Sequence, residues 1–395
     1  MTSDTSQLLD DFRDRAAQWL DANAPELGSA DDFTTAGERS PDHHFELCLA
    51  WQRKLYAGGW AGITWPTAVG GQGLSILHQI MFDDEQLNHG VSTLPLQIGQ
   101  QLAGPLIIHF GTPDQQDRFL RPTLSGDVVW CELWSEPGAG SDLAAVDSYA
   151  RPADGGWVLN GQKVWTSYAH YADRGLLIAR TDRSVAKHAG LSFFLLDMTA
   201  PGVSVRPLRQ MNGDSEFNEV FFDEVFVPEE DLLGQVGGGW NVVRTALANE
   251  RTAVSPSTFG RNGTRFEGLA RMVKDLDGAD AFGRRDQLVT IYIRELVLGL
   301  LHDRVRGTLF TGNTASQHAL ASISKLAYAQ YLKAIGELAL EMQGARGLLT
   351  GSDAYSNGVW QDHFLWAPAL RIGGGSDEIQ RNTLAEGVLG LPRER

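Results

Sequence analysis

Six short runs of β-branched and aromatic residues in the middle of the chain constrain its fold more than any other feature. They lie between residues 126 and 233, separated by Gly, Pro, Asn and Asp, at Val128–Trp134, Trp157–Trp165, Gly175–Arg180, Leu191–Asp197, Val203–Leu208 and Glu219–Val227. Regular short strands with turn residues between them are typical of a β-barrel or sandwich. Within the second run, Asn160-Gly161 is flanked by alternating apolar residues and predicts a β-hairpin.

The segments on either side have helical spacing instead. Apolar residues recur every three or four positions in three N-terminal stretches, 8–20, 45–55 and 76–87. Helical patterns return in the last part of the chain, at 240–254, at 286–310, at 315–343 and from Asp377 onward. The sequence therefore predicts an α+β protein with helical domains at 1–125 and 234–395 and a β domain at 126–233.

Charge and cysteine content argue against several functional classes. A net charge of −16 and a pI near 5.0 disfavour nucleic acid or an anionic membrane as the main partner. Cys48 and Cys131 are too few for a disulfide framework or a zinc site, and the ten histidines form no metal set. The acidic N-terminus has no signal core, and no apolar run approaches the length of a membrane span. We expect a cytoplasmic protein without a metal.

A tight polar turn ends the first β run. The stretch Trp130–Ser141 reads WCELWSEPGAGS, and its glycines Gly138 and Gly140 leave the backbone free to approach a ligand closely. Ser135 and Ser141 place hydroxyls on either side of this turn. The position of these groups predicts a contact surface for a ligand, although a plain surface turn has the same pattern.

The second β run ends by presenting Trp165, Thr166 and Ser167. An aromatic residue and two hydroxyls beside a Gly-rich turn suit a flat, hydrogen-bonding ring, and an ordinary hairpin is the alternative. The loop TWPTAVGGQG at 64–73 is also rich in glycine, but no predicted strand precedes it. We therefore interpret that loop as a connection or a cover over a ligand, not as a dinucleotide-binding fingerprint.

These motifs resemble those of a known family. SEPGAGSD at 135–142, with GQKVWTS at 161–167, resembles the first signature of the acyl-CoA dehydrogenase family, and GGGSDEIQRN at 373–382 resembles a variant of the second. The resemblance extends over essentially the whole chain and implies a C-terminal four-helix bundle after the helical and β domains. It also implies FAD as cofactor, an acyl-CoA substrate, an electron-transfer flavoprotein as electron acceptor, and a homodimer or homotetramer. An acyl carrier protein thioester is the alternative substrate.

The resemblance implies α,β-dehydrogenation, which removes a proton from Cα of the thioester and a hydride from Cβ to N5 of FAD. A carboxylate must act as the base, and in many members it is a Glu whose position is held here by Gly374. A subset that acts on branched or bulky substrates carries its Glu on the helix that opens the C-terminal domain. Glu250 matches that residue, and Arg251 matches a supporting arginine. A solvated helix carboxylate is the alternative for Glu250. Competing carboxylates, in places that suit helix capping, are Asp377, Glu378 and Glu386.

The backbone N–H of Gly374 is implied to hold the thioester carbonyl. The resemblance assigns further residues to the cofactor: Trp134, Ser135, Gly140, Ser141, Trp165, Ser167, Gln343, Ser376 and Glu378. Ser135 would meet the pyrimidine end of the flavin, Trp165 would pack against the ring, and Ser167 would bond near N5. Ser141 would lie near the phosphates or the substrate, and Ser376 near the adenosine half.

Two elements depart from the family pattern. An Arg-x-x-Phe-Gly motif usually reaches the FAD pyrophosphate of a neighbouring subunit, but around Phe282-Gly283 its arginine is missing, with Arg284 or Arg285 as substitutes. Glu341 stands where the family has a Gln, and Gln343 follows two residues later. These departures, and the absence of the usual base at 374, leave two alternatives open. One is a non-catalytic partner subunit of a hetero-oligomer, and the other is a flavin monooxygenase or oxidase on the same fold.

Overall fold

The computed structural model separates the chain into two compact units. One comprises Met1–Glu26 and Pro41–Ala253, the other Leu27–Ser40 and Val254–Arg395. The residues that the structure describes are 3–26, 29, 31–33, 40–252, 265–276, 284–311 and 314–393. The helical, β, helical order of the α+β prediction is confirmed, whereas the domain boundaries at 125/126 and 233/234 stay predictions.

Within the described residues, the first unit has six α-helices. They are α1 (Ser3–Asn23), α2 (Pro41–Ala57), α3 (Ile76–Asn88), α4 (Gly104–Phe110), α5 (Pro113–Ser125) and α6 (Gly239–Thr252). A π-helix, Ile98–Ala103, leads directly into α4. Helix α5 begins with a capping box in which Thr112 and Gln115 bond each other's backbone N–H, and it ends at Gly126 with φ 79°. The glycine loop at 64–73 contains one turn of 3₁₀-helix, Thr67–Val69, and connects α2 to α3.

The strands described in this unit form one eight-stranded sheet. Its strands are β1 (Trp130–Leu133), β2 (Tyr149–Ala153), β3 (Gly156–Ser167), β4 (Arg174–Arg180), β5 (Leu191–Asp197), β6 (Val203–Pro207), β7 (Phe217–Pro228) and β8 (Leu232–Leu233). The strand order is β6-β7-β3-β2-β4-β5-β8, and β1 pairs in parallel with β4. Each of the six predicted runs contains a strand, while the sequence pattern predicts neither β2 nor β8.

The predicted hairpin at Asn160-Gly161 is wrong. Strand β3 runs unbroken through both residues, and the hairpin turn is Asp154-Gly155, which joins β2 to β3. Gly155 has φ 73°, the left-handed conformation that such a turn favours. Gly161 serves close packing instead, because a Cβ there would lie 2.3 Å from the Ser148 hydroxyl.

Alternation along the central strands builds two hydrophobic cores on opposite faces of the sheet. Leu176 and Ile178 of β4 face a core shared with helices α4 to α6, while Leu177 and Ala179 face a core shared with β3 and β7. Because strand side chains alternate between faces, a strand buried on both faces must be apolar throughout. The stretches 176–179 of β4 and 193–196 of β5 meet this requirement, and all their residues are buried.

The second unit is helical. It contains α7 (Phe266–Asp275), α8 (Arg285–Thr311), α9 (Thr314–Gln343), α10 (Val359–Trp366) and α11 (Asp377–Asn382). Its core includes Ile291 and Leu298 of α8, with Leu332 and Ile335 of α9. Since an ion pair joins Arg284, just before α8, to Glu341 near the end of α9, these two long helices run antiparallel.

Candidate active site

Backbone hydrogen bonds hold the turn after β1, and its two glycines leave free space for a ligand. Glu136 and Ala139 exchange two backbone hydrogen bonds of 3.0 Å each. A Cβ built on Gly138 or Gly140 would meet no atom within 4 Å, so the space above these residues is free. The N–H of Val164 on β3 donates to the Ser135 carbonyl at 2.9 Å. This bond brings the predicted turn and the predicted strand side by side.

A buried ion pair joins the same two segments. The Lys163 Nζ lies 2.8 Å from Glu136 Oε1, with 0% and 9% of the two side chains exposed, and also donates to the Trp134 carbonyl at 3.0 Å. Glu136 accepts further bonds from the N–H groups of Asp147 and Ser148, at 2.7 and 3.0 Å. Burial lowers the pKa of Lys163 to about 8. For Glu136, burial is outweighed by Lys163 and the backbone donors, so its pKa falls below the ordinary value.

Neither member of this pair was assigned a role from the sequence, although a signal exists. Lys163 occupies an inward-facing position in the alternation of β3, in register with the buried residues Trp157 and Leu159. A lysine at such a position must find a partner, because an unpaired buried charge is costly. Glu136 is an acidic residue in the neighbouring signature segment.

Strand β3 bulges where it delivers its aromatic residue. Between the pairs Lys163↔Val220 and Thr166↔Asn218, β3 has one more residue than β7. Trp165 in this bulge has φ 63°, is 62% exposed, and lies edge-on to Phe217 with ring centroids 6.0 Å apart. A bulky residue in the left-handed region is strained. Bulges next to active sites re-aim side chains, and here a tryptophan ring is held out into solvent.

The segment after the bulge is fixed from β7. Asn218 is fully buried and donates to the Thr166 carbonyl at 3.0 Å. Tyr168, which has φ 55°, donates its backbone N–H to the Glu216 carbonyl at 2.9 Å. Ser167, half-buried at the end of β3, therefore lies between two anchored residues. Two left-handed non-glycine residues around one hydroxyl are typical of a functional site.

The group that these residues fit is a flat ring with a hydrogen-bonding edge. Trp134 Nε1 and Thr166 Oγ1 are among the buried side-chain polar atoms that have no hydrogen-bond partner within the described residues. Buried polar groups are normally paired, so such atoms indicate a missing ligand. Together with the open backbone at Gly138 and Gly140 and the exposed ring of Trp165, they provide donors, an approach path and a stacking surface. The residues present therefore fit a flavin.

Ser141 is exposed and follows Gly140 in the turn. Its neighbour Asp142 pairs with Lys187 at 2.7 Å, and both side chains are largely exposed. A hydroxyl at this place can reach a ligand that extends beyond the ring, such as a phosphate chain. Its role in binding FAD stays a prediction.

The second unit holds the other predicted cluster at the start of α11. Gly374 and Gly375 have φ 63° and 82°, and the Gly374 carbonyl accepts from Gln380 Nε2 at 2.9 Å. The Gly374 N–H is exposed and donates to no group in the part of the chain that the structure describes. Ser376 is the N-cap of α11, since its hydroxyl accepts from the Ile379 N–H at 3.3 Å. Glu378 is exposed beside Arg381.

Gln343 is not near this glycine turn. It is 5% exposed at the C-terminal end of α9 and accepts a bond from Gln361 at 3.2 Å. Lys325, which contacts the turn, lies 18 residues earlier in the same helix, a separation of about 27 Å. Two residues that depart from the family pattern contact each other: Arg284, the substitute for the missing arginine, forms an ion pair with Glu341, which replaces a Gln.

The predicted base lies in the last turn of α6. Glu250 and Arg251 are within the helical range Gly239–Thr252, but their side chains lie outside the part of the chain that the structure describes. Helix α6 packs against β5, α4 and the π-helix Ile98–Ala103. The placement of Glu250 on the first helix after the β domain agrees with the sequence, and its catalytic role stays a prediction.

Two kinds of site receive no support. Among the described residues, no group of three or more His, Cys, Asp or Glu side chains could hold a metal ion. Within the same residues, no helix combines the length and apolar character needed to cross a bilayer.

Comparisons with known proteins agree with this geometry. Three acyl-CoA dehydrogenase family models match in chain order, for the N-terminal domain at residues 7–127, the middle domain at 131–225 and the C-terminal domain at 237–389. The chain is 38% identical to the acyl-CoA dehydrogenase IpdE1 of Mycolicibacterium smegmatis, and the match covers 98% of each chain.

Solved structures give the same result. The structure titled "Tcur3481-Tcur3483 steroid ACAD" is 26% identical, with a TM-score of 0.82 and coverage of 98% of both chains. A chain of the ChsE4-ChsE5 complex from Mycobacterium tuberculosis is 27% identical, with a TM-score of 0.79, and covers 100% of this chain and 99% of its own. The protein therefore belongs to the acyl-CoA dehydrogenase family of FAD-dependent oxidoreductases and dehydrogenates an acyl-CoA thioester.

Proposed function

We propose that the substrate is the CoA thioester of a bulky, ring-bearing acyl group of the steroid class, with Glu250 as the base. The observation that carries this proposal is the glycine turn at 373–375. Gly374 stands where many family members have their base, and it offers a free N–H but no carboxylate. The base must then come from another element. Glu250 at the end of α6 matches the residue that serves this purpose in the subset with bulky substrates.

The chemistry divides among three groups of this chain. Glu250 takes the proton from Cα as the Cα–Cβ double bond forms. The Gly374 N–H donates to the thioester carbonyl oxygen, on which negative charge develops as Cα loses its proton. One such donor contributes about 10²–10³ in rate. FAD, when bound, accepts the hydride that leaves Cβ with its electron pair. The ring of Trp165 and the hydroxyl of Ser167 would hold the flavin in place, and the turn that carries Ser135 and Gly140 would bind its polar edge.

The proposed preference for a bulky acyl group rests on the absence of side chains at the glycine turn. Gly373 and Gly374 are both exposed and carry no side chain at the position where many relatives place a glutamate. The space that a glutamate would fill is then available to rings near the reacting carbons. A solved relative over the full length of this chain is described as a steroid acyl-CoA dehydrogenase, which supports the same substrate class.

The Arg284–Glu341 ion pair supports a hetero-oligomer over a homo-oligomer. In the resembled family this region reaches the pyrophosphate of a neighbouring FAD. Here Glu341 neutralises Arg284. A cleft of about 340 Å³ is lined by Glu341 together with two further carboxylates and one arginine, Asp286, Glu337 and Arg294, so acidic groups outnumber basic ones in it. Carboxylates repel a pyrophosphate at short range. We therefore propose that a different chain of the same family completes the FAD site of this subunit. A solved relative, ChsE4-ChsE5, is described as a complex of two named chains, which supports a hetero-oligomer.

Substitution of Glu341 tests the proposed assembly. Glu341→Gln frees Arg284 and restores an amide at the family's position, so the FAD content of the chain purified alone should rise. Glu267→Gln, which changes an exposed carboxylate at the start of α7, is the control. An unchanged FAD content and an unchanged mass by light scattering would contradict the hetero-oligomer and favour a homo-oligomer.

Anaerobic bleaching of the flavin band tests the substrate class. The chain, loaded with FAD, is mixed with butyryl-, isobutyryl-, palmitoyl-, 3-cyclohexylpropanoyl- and cholanoyl-CoA. We expect bleaching by the two ring-bearing thioesters and little by the straight chains. Bleaching by palmitoyl-CoA alone would refute the bulky class. Flavin that no thioester reduces, but that reacts rapidly with oxygen once reduced chemically, would favour the monooxygenase or oxidase.

The base is tested in the same assay. Glu250→Gln should retain FAD and bind the thioester but lose bleaching by at least about 10²-fold, because the base contributes 10²–10⁴. Glu267→Gln again serves as the matched control. If Glu250→Gln turned over at the normal rate, another residue would have to be the base.

A further inference from the structure

A charged cluster lies directly behind the glycine turn. Asp377 is 1% exposed, and its Oδ2 receives Arg371 Nε at 2.8 Å and Arg371 Nη2 at 2.7 Å. The Lys325 Nζ lies 3.8 Å from the other carboxylate oxygen and donates to the Gly375 carbonyl at 2.7 Å. Arg371 precedes the turn, Asp377 follows it, and Lys325 belongs to α9. The cluster therefore ties both ends of the turn to each other and to the long helix beside it.

The turn needs such support. Three successive glycines have more conformational freedom than any other residues, and two of them adopt left-handed φ values. Their carbonyls are held separately, Gly374 by Gln380 and Gly375 by Lys325. The Gly374 N–H belongs to the peptide plane between Gly373 and Gly374. The planes on both sides of it are held, because the Gly373 N–H donates to the Ala369 carbonyl at 2.8 Å and the Gly374 carbonyl accepts from Gln380. The direction of the Gly374 N–H is thereby restricted. A misplacement of about 1 Å at a reacting group can cost about 10² in rate.

We propose that Asp377 is a positioning residue, which together with Arg371 and Lys325 holds the 373–375 turn so that the Gly374 N–H points at the thioester carbonyl. This inference rests on the proposed role of Gly374. Asp377 keeps Lys325 in place beneath the turn, and the two cations and one carboxylate leave one net positive charge there. Burial lowers the pKa of Lys325 and Asp377 opposes that effect, which helps to keep the lysine charged as a donor.

A comparison of two ligands isolates this role. The first probe is (E)-3-cyclohexylacryloyl-CoA, an unreactive enoyl product, and the second is its S-allyl thioether, in which a methylene replaces the carbonyl. Dissociation constants are measured on the FAD-loaded protein. We expect the wild type to bind the thioester about tenfold more tightly, because the Gly374 N–H has no acceptor on the thioether.

Asp377→Asn should remove that preference, so that the thioester binds about tenfold more weakly while the thioether is unchanged within about twofold. Turnover should fall by about 10²-fold. Lys325→Met leaves the Arg371–Asp377 pair intact and should reduce the preference in the same direction, which covers the case that Asp377→Asn does not fold. Asp353→Asn, an exposed carboxylate elsewhere in the second unit, is the control.

The outcomes distinguish the proposed role of the Gly374 N–H from the proposed role of Asp377. A wild type without a preference would refute the role of Gly374 and this inference together. A wild-type preference that both variants retain would refute the inference alone. Equal weakening of both ligands would show that the cluster only stabilises the fold, and would also overturn the inference.

Discussion

Removal of the Lys163 ammonium is the sharpest test of how this structure builds its flavin-binding surface. Lys163→Met keeps the length of the side chain but leaves Glu136 as a carboxylate with 9% exposure and two backbone donors. Breaking a buried pair by removing one partner costs about 3–5 kcal/mol, because the other charge stays buried and uncompensated. The Trp134 carbonyl also loses its donor. We expect the free energy of unfolding of the first unit to fall by about 3–5 kcal/mol at pH 7.

Lys187→Met is the matched control. Lys187 pairs with Asp142 on the same turn at 2.7 Å, but its side chain is 49% exposed, and exposed pairs contribute only about 0–1 kcal/mol. Both variants are unfolded in urea with tryptophan fluorescence as the signal, and their FAD content is measured after gel filtration. Only Lys163→Met should lose FAD, since Lys163, unlike Lys187, joins the turn to β3.

The pH dependence sharpens the test. In the wild type the pKa of Glu136 is lowered, so its contribution to stability is present above its unfolded pKa and is lost as the pH falls through the folded pKa. In Lys163→Met the burial of Glu136 acts without the lysine and favours the protonated acid. The difference between wild type and variant should therefore shrink towards pH 4. If Lys163→Met costs no more than Lys187→Met, or if the difference is independent of pH, the buried pair does not hold the turn.

Three further predictions follow from single residues. Burial raises the pKa of Asp83 from 3.8 to about 7, so the folded protein keeps a proton that the unfolded chain releases, and stability falls as the pH rises through this window. Asp83→Asn should remove this slope and stabilise the protein by up to about 4 kcal/mol at pH 8, checked by urea unfolding at pH 5 and pH 8. Trp165→Gly should relieve the backbone strain at φ 63° by about 1 kcal/mol and should weaken FAD binding. A loss of stability together with an unchanged FAD affinity would refute the proposed role of the ring. Gly161→Ala places a Cβ 2.3 Å from the Ser148 hydroxyl and should lower the melting temperature, whereas a neutral result would mean that β3 can move away from Ser148.

The positions of the strands could be predicted because their signal is local. Alternation and β-branched runs between turn residues place β1 and β3 to β7 from the sequence, and helical spacing places the long helices. The hairpin was misplaced because two Gly-containing doublets, Asp154-Gly155 and Asn160-Gly161, compete in one stretch. Only the pairing with β2 and the close approach of Ser148 decide which of them turns.

The family, the cofactor and the loss of a carboxylate at position 374 follow from the amino-acid sequence, because each is recorded in the identity of residues along a short stretch. Tertiary structure alone decided which charges work together. Glu136 with Lys163 are 27 residues apart, and Lys325 with Asp377 are 52 apart. Sequence separation carries no information about such pairs, since the fold brings them together only when a strand bulges beside a turn, or when a helix passes beneath one. Burial then makes each pair matter, because a charge removed from water must be matched by a partner at hydrogen-bonding distance.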